Sequence, residues 1–467
     1  MVFIGLKIDN IGPINEADIE LGKLNIVGGV NSSGKSTVSR LFYCFLLSAS
    51  PDRNRLYNQI LFDQLVSVCD YLKKGVSGEV DSFTNEYTEE HFTLNDLQKR
   101  ILSNYKEDFE RDFQKNSIED QKVINFFSKM LKKFLDTLDI NCKNFYLEML
   151  ESIDKRTEVE DDLTKYKFLI SEIFVNEFDY YPYSDEYGNG RALFSQNFNQ
   201  KKINWELGIG GEFDKMEKRN KEIPEFPNNI IYIDSISPLE VLRFSDAVKI
   251  PYHFKILFKN LSKDHDVKKF SDNEYNSKIT KFLNKIDQML GGKFKYNSSR
   301  RLSVPEKSDK IGNETIDGFE FIKNDKTFHM KNSSSGLKQI GTIQMLLNDR
   351  LLNEGDFLII DEPEVNLHPE WQIKLAEILI LLVKDLNITV YLNSHSPHFI
   401  EALEVLSVKH GIKEDTRFYL SAPSEDDEDK FDFVELGYDN IDELYDNLGD
   451  IYDMIEDIRI ENMMNMR

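Results

Sequence analysis

Cysteine is scarce: the 467 residues hold three, Cys44, Cys69 and Cys142. They stand far apart and are odd in number, which excludes a disulfide framework and fits a reducing compartment. Long apolar runs are missing too. A run such as Ile378 to Val383 falls far short of the roughly 20 residues a membrane-spanning helix needs. The N-terminus has neither a basic n-region nor a long apolar stretch, so it does not read as a signal peptide. These absences predict a cytoplasmic protein with no membrane partner. No zinc-ligand or HNH-like spacing occurs. No apolar heptad is sustained, which excludes a long coiled coil. Basic charge is in deficit, with 58 Lys and Arg against 82 Asp and Glu, a net charge of −24. A surface devoted to nucleic acid is therefore disfavoured. Residues 425–467 hold sixteen acidic and three basic side chains, so that tail alone contributes −13. The remainder is mildly acidic, which leaves room for a local nucleic-acid contact.

What is present begins with Gly29-Val30-Asn31-Ser32-Ser33-Gly34-Lys35-Ser36-Thr37. It fits the P-loop pattern GxxxxGK[ST] at every fixed position. Lys23 to Val27 reads as a strand before it, and Thr37 to Leu47 as a buried helix after it. In that context backbone N–H groups of the glycine turn point at phosphates, aided by the helix N-terminus. Gly29, Asn31, Ser32, Ser33, Gly34, Lys35, Ser36 and Thr37 are the candidate ATP phosphate-binding residues. Lys35 reaches the β- and γ-phosphates, and Ser36 is a candidate Mg2+ ligand.

Alternation over Phe3–Ile8 and Ile14–Leu21 predicts two strands before the one that leads into the P-loop. From about Pro51 to Pro227 the chain turns charged and aromatic, with helix-face spacings at 60–72 and 124–135. Tyr180 to Gly190 reads as an exposed loop. Strand character returns at Asn229–Asp234, and a meander of short strands is expected from Lys293 to His329. Lys268-Lys269 and Arg300-Arg301 are small basic clusters that read as solvated faces.

A second constellation lies downstream. Asn332-Ser333-Ser334-Ser335-Gly336 opens a helix expected to run to Leu352. Small residues at a helix start offer N–H groups and hydroxyls to an anion. The strand Phe357–Ile360 then ends in Asp361-Glu362-Pro363. Asp361 suits Mg2+, held through water, and Glu362 suits orienting or deprotonating an attacking water. A further strand, Ile388–Asn393, ends at Ser394-His395-Ser396-Pro397. His395 at a strand's carboxyl end sits where ligands bind in open α/β sheets, within reach of a γ-phosphate or the water.

The ordered series Gly29–Thr37, Ser334-Ser335-Gly336, Asp361-Glu362-Pro363-Glu364, Leu367-His368-Pro369 and Asn393–Pro397 resembles ABC-class ATPases. It is most similar to the soluble group containing OLD-family proteins and related ATPases of bacterial and archaeal anti-phage systems. Leu6 to Ile14 is also similar to that group's first strands. The resemblance implies an α/β, ABC-type P-loop ATPase domain, a mixed sheet flanked by helices, here with a large helical insertion. It implies ATP and Mg2+ as cofactors, with ATP sandwiched between two copies and hydrolysed. Ser334, Ser335 and Gly336 would act in trans as the signature, Ser334 on the γ-phosphate, and His395 would be the switch histidine. The signature reads Ser-Ser-Gly rather than Ser-Gly-Gly, a variant of the OLD-like group. No glutamine marks a Q-loop, and Asp234-Ser235 is the candidate for its place.

The implied organisation is 1–50, the first part of the ATPase domain; 51–228, a helical insertion lobe; 229–422, the second part; and 423–467, an acidic tail. OLD-family nucleases carry a Toprim domain after the ATPase, for which the residues after His395 are too few. Asp426 to Asp429 reads as a solvated linker. No nuclease is expected in this chain. Ile441, Leu444, Leu448, Ile451, Ile455 and Ile458 form the apolar seam of a helix. That helix either packs on its own domain or docks a second copy or an effector. The reading is an ATPase acting as sensor and switch of a defence or toxin–antitoxin-like complex, with a separately encoded effector such as a nuclease. The alternatives are a repair or recombination ATPase of RecF or SMC-like type, and a nucleotide-gated scaffold with scant turnover.

Overall fold

The computed structural model describes residues 3–75, 82–84, 91–93, 117–136, 143–178, 190–198, 201–209, 223, 226, 228–234, 253, 256–257, 273–296, 319–324, 326–329 and 335–448. The chain divides into two compact units, Met1–Ser50 with Ile173–Arg467, and Pro51–Glu172.

The larger unit is built on strands β1 (Phe3–Ile11), β2 (Ile14–Glu20) and β3 (Leu24–Gly29), followed by helix α1 (Lys35–Ser48). The smaller unit carries α2 (Arg53–Gly75), the strand pair β4 (Ser82–Thr84) and β5 (His91–Thr93), α3 (Ser117–Asp136), α4 (Lys143–Thr157) and most of α5 (Asp162–Glu177). Its helices bury Leu61, Leu65, Ile124, Phe127 and Leu131, on the faces read from the helical spacing, and also Leu150. Tyr57 donates to the Arg156 carbonyl at 2.8 Å, and the Arg156 guanidinium lies 4.4 Å from the Phe168 ring centre.

The larger unit resumes with β6 (Gly190–Phe198), β7 (Lys201–Ile209), β8 (Ile230–Ile233), α6 (Asn273–Leu290), β9 (Lys293–Tyr296), β10 (Phe319–Lys323), β11 (Lys326–His329) and α7 (Ser335–Asn348). It closes with β12 (Phe357–Asp361), α8 (Pro369–Leu386), β13 (Thr389–Ser394), α9 (Pro397–His410), β14 (Thr416–Pro423), β15 (Phe431–Leu436) and a helix over 442–448.

Ten strands form one mixed sheet in the order β7-β6-β1-β2-β15-β14-β3-β13-β12-β8. From β14 to β8 every neighbouring pair is parallel. Side chains alternate across it, as the pleat requires. Leu358 and Ile360 of β12, Val390 and Leu392 of β13, and Ile231 and Ile233 of β8 join one apolar core with α6 to α9. The residues of opposite parity turn to α1. Phe42 meets Tyr391 at 5.4 Å between ring centres, and Tyr43 meets Tyr232 at 5.6 Å. The sheet is thus covered on both faces, as near-continuous apolar parallel strands demand.

Two boundaries differ from the expectation. The lobe read as 51–228 is a unit of 51–172, because β6 pairs with β1 and β7 with β6 in the main sheet. Ala192, Phe194 and Gln196 alternate into the interior with a period of two, between less buried Arg191, Leu193 and Ser195. The stretch read as an acidic tail from 423 contains β15, which pairs with β14 and β2. Asp426 to Asp429 is the connection of that hairpin, where Lys430 faces Asp427 at 3.7 Å. Ile441, Leu444 and Leu448 enter the main core, so this part of the seam packs on its own unit. Gly190, read as the end of an exposed loop, is instead buried and opens β6, while residues 180–189, Ile451, Ile455, Ile458 and both basic clusters lie outside the described residues.

Candidate active site

The parallel strands deliver the candidates to one edge of the sheet. In register, Asp361 stands beside Asn393, Asn393 beside Val27, and Ser394 beside Gly28. The carboxyl ends of β12, β13 and β3 are therefore level, and the turns that leave them share one crevice.

The turn after β3 is shaped by backbone conformations rare for L-residues. Ser32 has φ 64° and Gly34 φ 91°. At Gly34 a Cβ would stand 2.6 Å from Ile14 Cγ1, so both conformation and space require glycine there. Ser33, Gly34 and Lys35 are buried, Ser36 and Thr37 half-buried, and Asn31 and Ser32 exposed. The Lys35 ammonium donates to the carbonyls of Gly29 at 2.9 Å and Val30 at 2.6 Å. Burial lowers its pKa, opposed by Glu362, Asp361 and Glu364. Ser421 of β14 supports the turn from outside, donating to the Ser33 carbonyl at 3.2 Å.

Asp361 is fully buried and held from three elements. Its Oδ1 accepts from Ser39 Oγ at 2.7 Å and Asn393 Nδ2 at 2.6 Å, and Oδ2 accepts from the Tyr232 hydroxyl at 2.8 Å. Burial raises its pKa, as does the neighbouring Asp234, while the hydroxyls of Ser36, Ser39 and Tyr232 pull it down. The contact with Ser36 brings together the two oxygen groups read as metal ligands. Hydroxyl and carboxylate oxygens are the hard donor set that Mg2+ prefers.

Glu362 follows with φ 46°, a left-handed conformation, and its amide donates to the Asn393 carbonyl at 2.9 Å. That turn lifts its carboxylate from the interior toward His395. The His395 Nδ1 lies 3.5 Å from Glu362 Oε1, an ion-pair distance too long for a strong hydrogen bond. Each shifts the other: contact with His395 lowers the Glu362 pKa, and contact with Glu362 raises that of His395. Both side chains are partly exposed, so the pair is accessible to a reactant.

Lys35, Ser36, Asp361, Glu362 and His395 are thus neighbours, although they come from three segments of the sequence. Ser335 and Gly336 form the first turn of α7, and Ser334 lies outside the described residues, as does Ser235. Asp234 faces Arg40 at 3.9 Å and His253 Nε2 at 3.7 Å. Sequence reasoning missed Ser39, Tyr232 and Ser421 and gave no role to the Asn393 side chain. Ser39, one turn beyond Ser36 in an apolar helix, was a readable signal. Tyr232 and Ser421 carry none until the strands are placed.

A family described as AAA ATPase domain matches residues 1–400 of the chain. The chain belongs to that family. The matched span of this AAA ATPase contains the P-loop, Asp361, Glu362 and His395 together with the 51–172 unit. No curated protein matches by sequence. Similar solved structures include the SmcHead bound to the C-winged helix domain of ScpA, with 10% identity, 93% of this chain and 98% of that chain covered, and a TM-score of 0.38. The SMC head domain from Thermotoga maritima has 9% identity, coverage of 93% and 99%, and a TM-score of 0.36. An Smc head domain with an extended coiled coil, bound to the C-terminal domain of ScpA derived from Pyrococcus furiosus, has 12% identity, coverage of 98% and 100%, and a TM-score of 0.32.

Proposed function

We propose that this AAA ATPase hydrolyses ATP with Mg2+ and serves as the sensor and switch of an OLD-like defence or toxin–antitoxin-like complex, controlling a separately encoded effector. One observation carries the enzymatic part. A buried lysine in a glycine turn, a buried aspartate and a Glu–His pair meet at the level ends of parallel strands. The N–H groups of the P-loop turn and Lys35 hold the phosphates. Ser36 and Asp361 would hold the metal, which would supply charge neutralisation on the phosphates. Glu362, ionised because His395 lowers its pKa, orients the attacking water and accepts its proton. His395 donates to the γ-phosphate oxygens. Ser334, Ser335 and Gly336 of a second copy complete the site in trans.

The switching role is supported by the order of the motifs and by the structure of the P-loop strand. Leu444 of the 442–448 helix packs directly on Gly28, the residue before the P-loop. A partner that pulls on the C-terminal segment therefore acts on the nucleotide turn. No described helix is long and apolar enough to cross a membrane. The place of action in this reading is the cytoplasm.

The test is capture of wild type and Glu362→Gln from the native host with ATP and Mg2+, with partners identified by mass spectrometry. A stoichiometric nuclease-like or toxin-like partner, held by one nucleotide state and released by the other, is expected. Recovery of the protein with only DNA, retained in a salt-dependent manner, would replace the switch reading with a repair or recombination ATPase.

A further inference from the structure

Glu364 stands in the turn after β12 and has no part in the chemistry above. Its carboxyl is 3% exposed, a depth at which an acid must be held by partners. Its carboxyl reaches the last residue of β13 and the residue that follows. Oε1 accepts from the Ser394 hydroxyl at 2.6 Å and from the His395 amide at 3.2 Å. Ser394 Oγ in turn accepts from the Ser396 amide at 3.1 Å, so its own proton is committed to Glu364. Oε2 is buried and has no hydrogen-bond partner among the described residues.

The imidazole completes the picture. Its Nδ1 lies 3.9 Å from Glu364 Oε1 and 3.5 Å from Glu362 Oε1, so one face of the ring's ionisable chemistry is turned to two carboxylates. Nε2, across the ring, is the nitrogen left for a reactant.

We infer that Glu364 is a positioning residue for His395, tying the Glu362 turn to the Ser394–Ser396 segment and holding the ring with Nε2 toward the terminal phosphate. It touches neither phosphate nor water itself. Binding of ATP does not depend on it, whereas alignment of the Glu–His pair does. The inference rests on the ATPase reading for its kinetic consequence but not for its geometry.

The test is a cycle of Glu364→Ala, Ser394→Ala and the double variant, read by phosphate release and by histidine-side-chain NMR of the nucleotide-free protein. Each single variant is expected to lose about tenfold or more in kcat, with KM for ATP within about threefold of wild type. The double variant should be no worse than the poorer single one, because both remove the same link. Glu364→Gln, which keeps an acceptor for both bonds, should retain kcat within about threefold of wild type. In the NMR arm the His395 signals should move in Glu364→Ala, with Lys35 and Glu362 left as the charges facing the ring. Unchanged kcat, additive losses in the double variant, or an equal loss in Glu364→Gln would overturn the inference. If wild type itself releases no phosphate, the ATPase reading falls. The positioning inference then stands or falls on whether His395 shifts in the Ser394→Ala and Glu364→Ala proteins. Should Glu364→Ala not fold, Ser394→Ala and Glu364→Gln carry the same contrast.

Discussion

Glu362 and His395 each favour the charged form of the other. The histidine lowers the glutamate below the ordinary carboxylate range, and the glutamate raises the histidine above 6.5. The pair is doubly charged between those two limits. Its contribution to stability is lost as pH falls through the lowered Glu362 pKa. It is lost again as pH rises through the raised His395 pKa. Replacing Glu362 by Gln removes the larger cause of the histidine's shift, so the imidazole should titrate at lower pH by NMR. The same variant should keep ATP and lose about a hundredfold or more in turnover, measured by nucleotide binding and phosphate release. A histidine that titrates at the same pH in both proteins would show that the pair is not formed. Gly34 sets a second constraint at this scale. With φ 91° and Ile14 Cγ1 only 2.6 Å from where a Cβ would stand, Gly34→Ala must distort the turn. A loss of nucleotide affinity of about tenfold or more, with a fall in Tm, is the expected outcome in calorimetry.

At the scale of elements, the P-loop depends on what packs behind it. A Cβ on Gly28 would sit 2.9 Å from the Leu444 side chain, so the terminal helix lies as close to β3 as glycine allows. Leu444 is fully buried, and Leu444→Ala should cost about 2–5 kcal/mol in denaturant unfolding. Loss of that support should also weaken ATP binding, which no surface leucine would do. The sequence made part of this legible. A P-loop is contiguous, so strand, turn and helix could be read from nine residues and their flanks. Asp361 and His395 were readable because each ends an apolar strand. Tyr232 was not, since it reaches Asp361 only through the register of β8 beside β12. Nor was Ser421, whose strand arrives beside β3 from nearly 400 residues downstream. The β6–β7 hairpin was hidden because its inward Gln196 and outward Leu193 blur the alternation. In β15 the acidic Asp432 and Glu435 masked the inward Phe433 and Leu436 in the same way.

At the scale of the molecule, one sheet carries the P-loop, Asp361 and the Glu–His pair, while the first turn of α7, with Ser335 and Gly336, lies in the same unit. A site completed in trans requires two copies to meet around ATP. Glu362→Gln with ATP and Mg2+ should therefore scatter light as a dimer or larger, and as a smaller species without nucleotide. A mass that does not respond to ATP would remove the sandwich from the account. Whatever the assembly, Lys35 and Asp361 are expected to serve one ATP-hydrolysing site. The most direct measurement is steady-state phosphate release from ATP and Mg2+ by wild type, Lys35→Ala and Asp361→Asn. Saturable turnover by wild type and a loss of about a hundredfold or more in each variant is the predicted result. Turnover indifferent to Lys35 and Asp361, or none from a folded wild type, would contradict it.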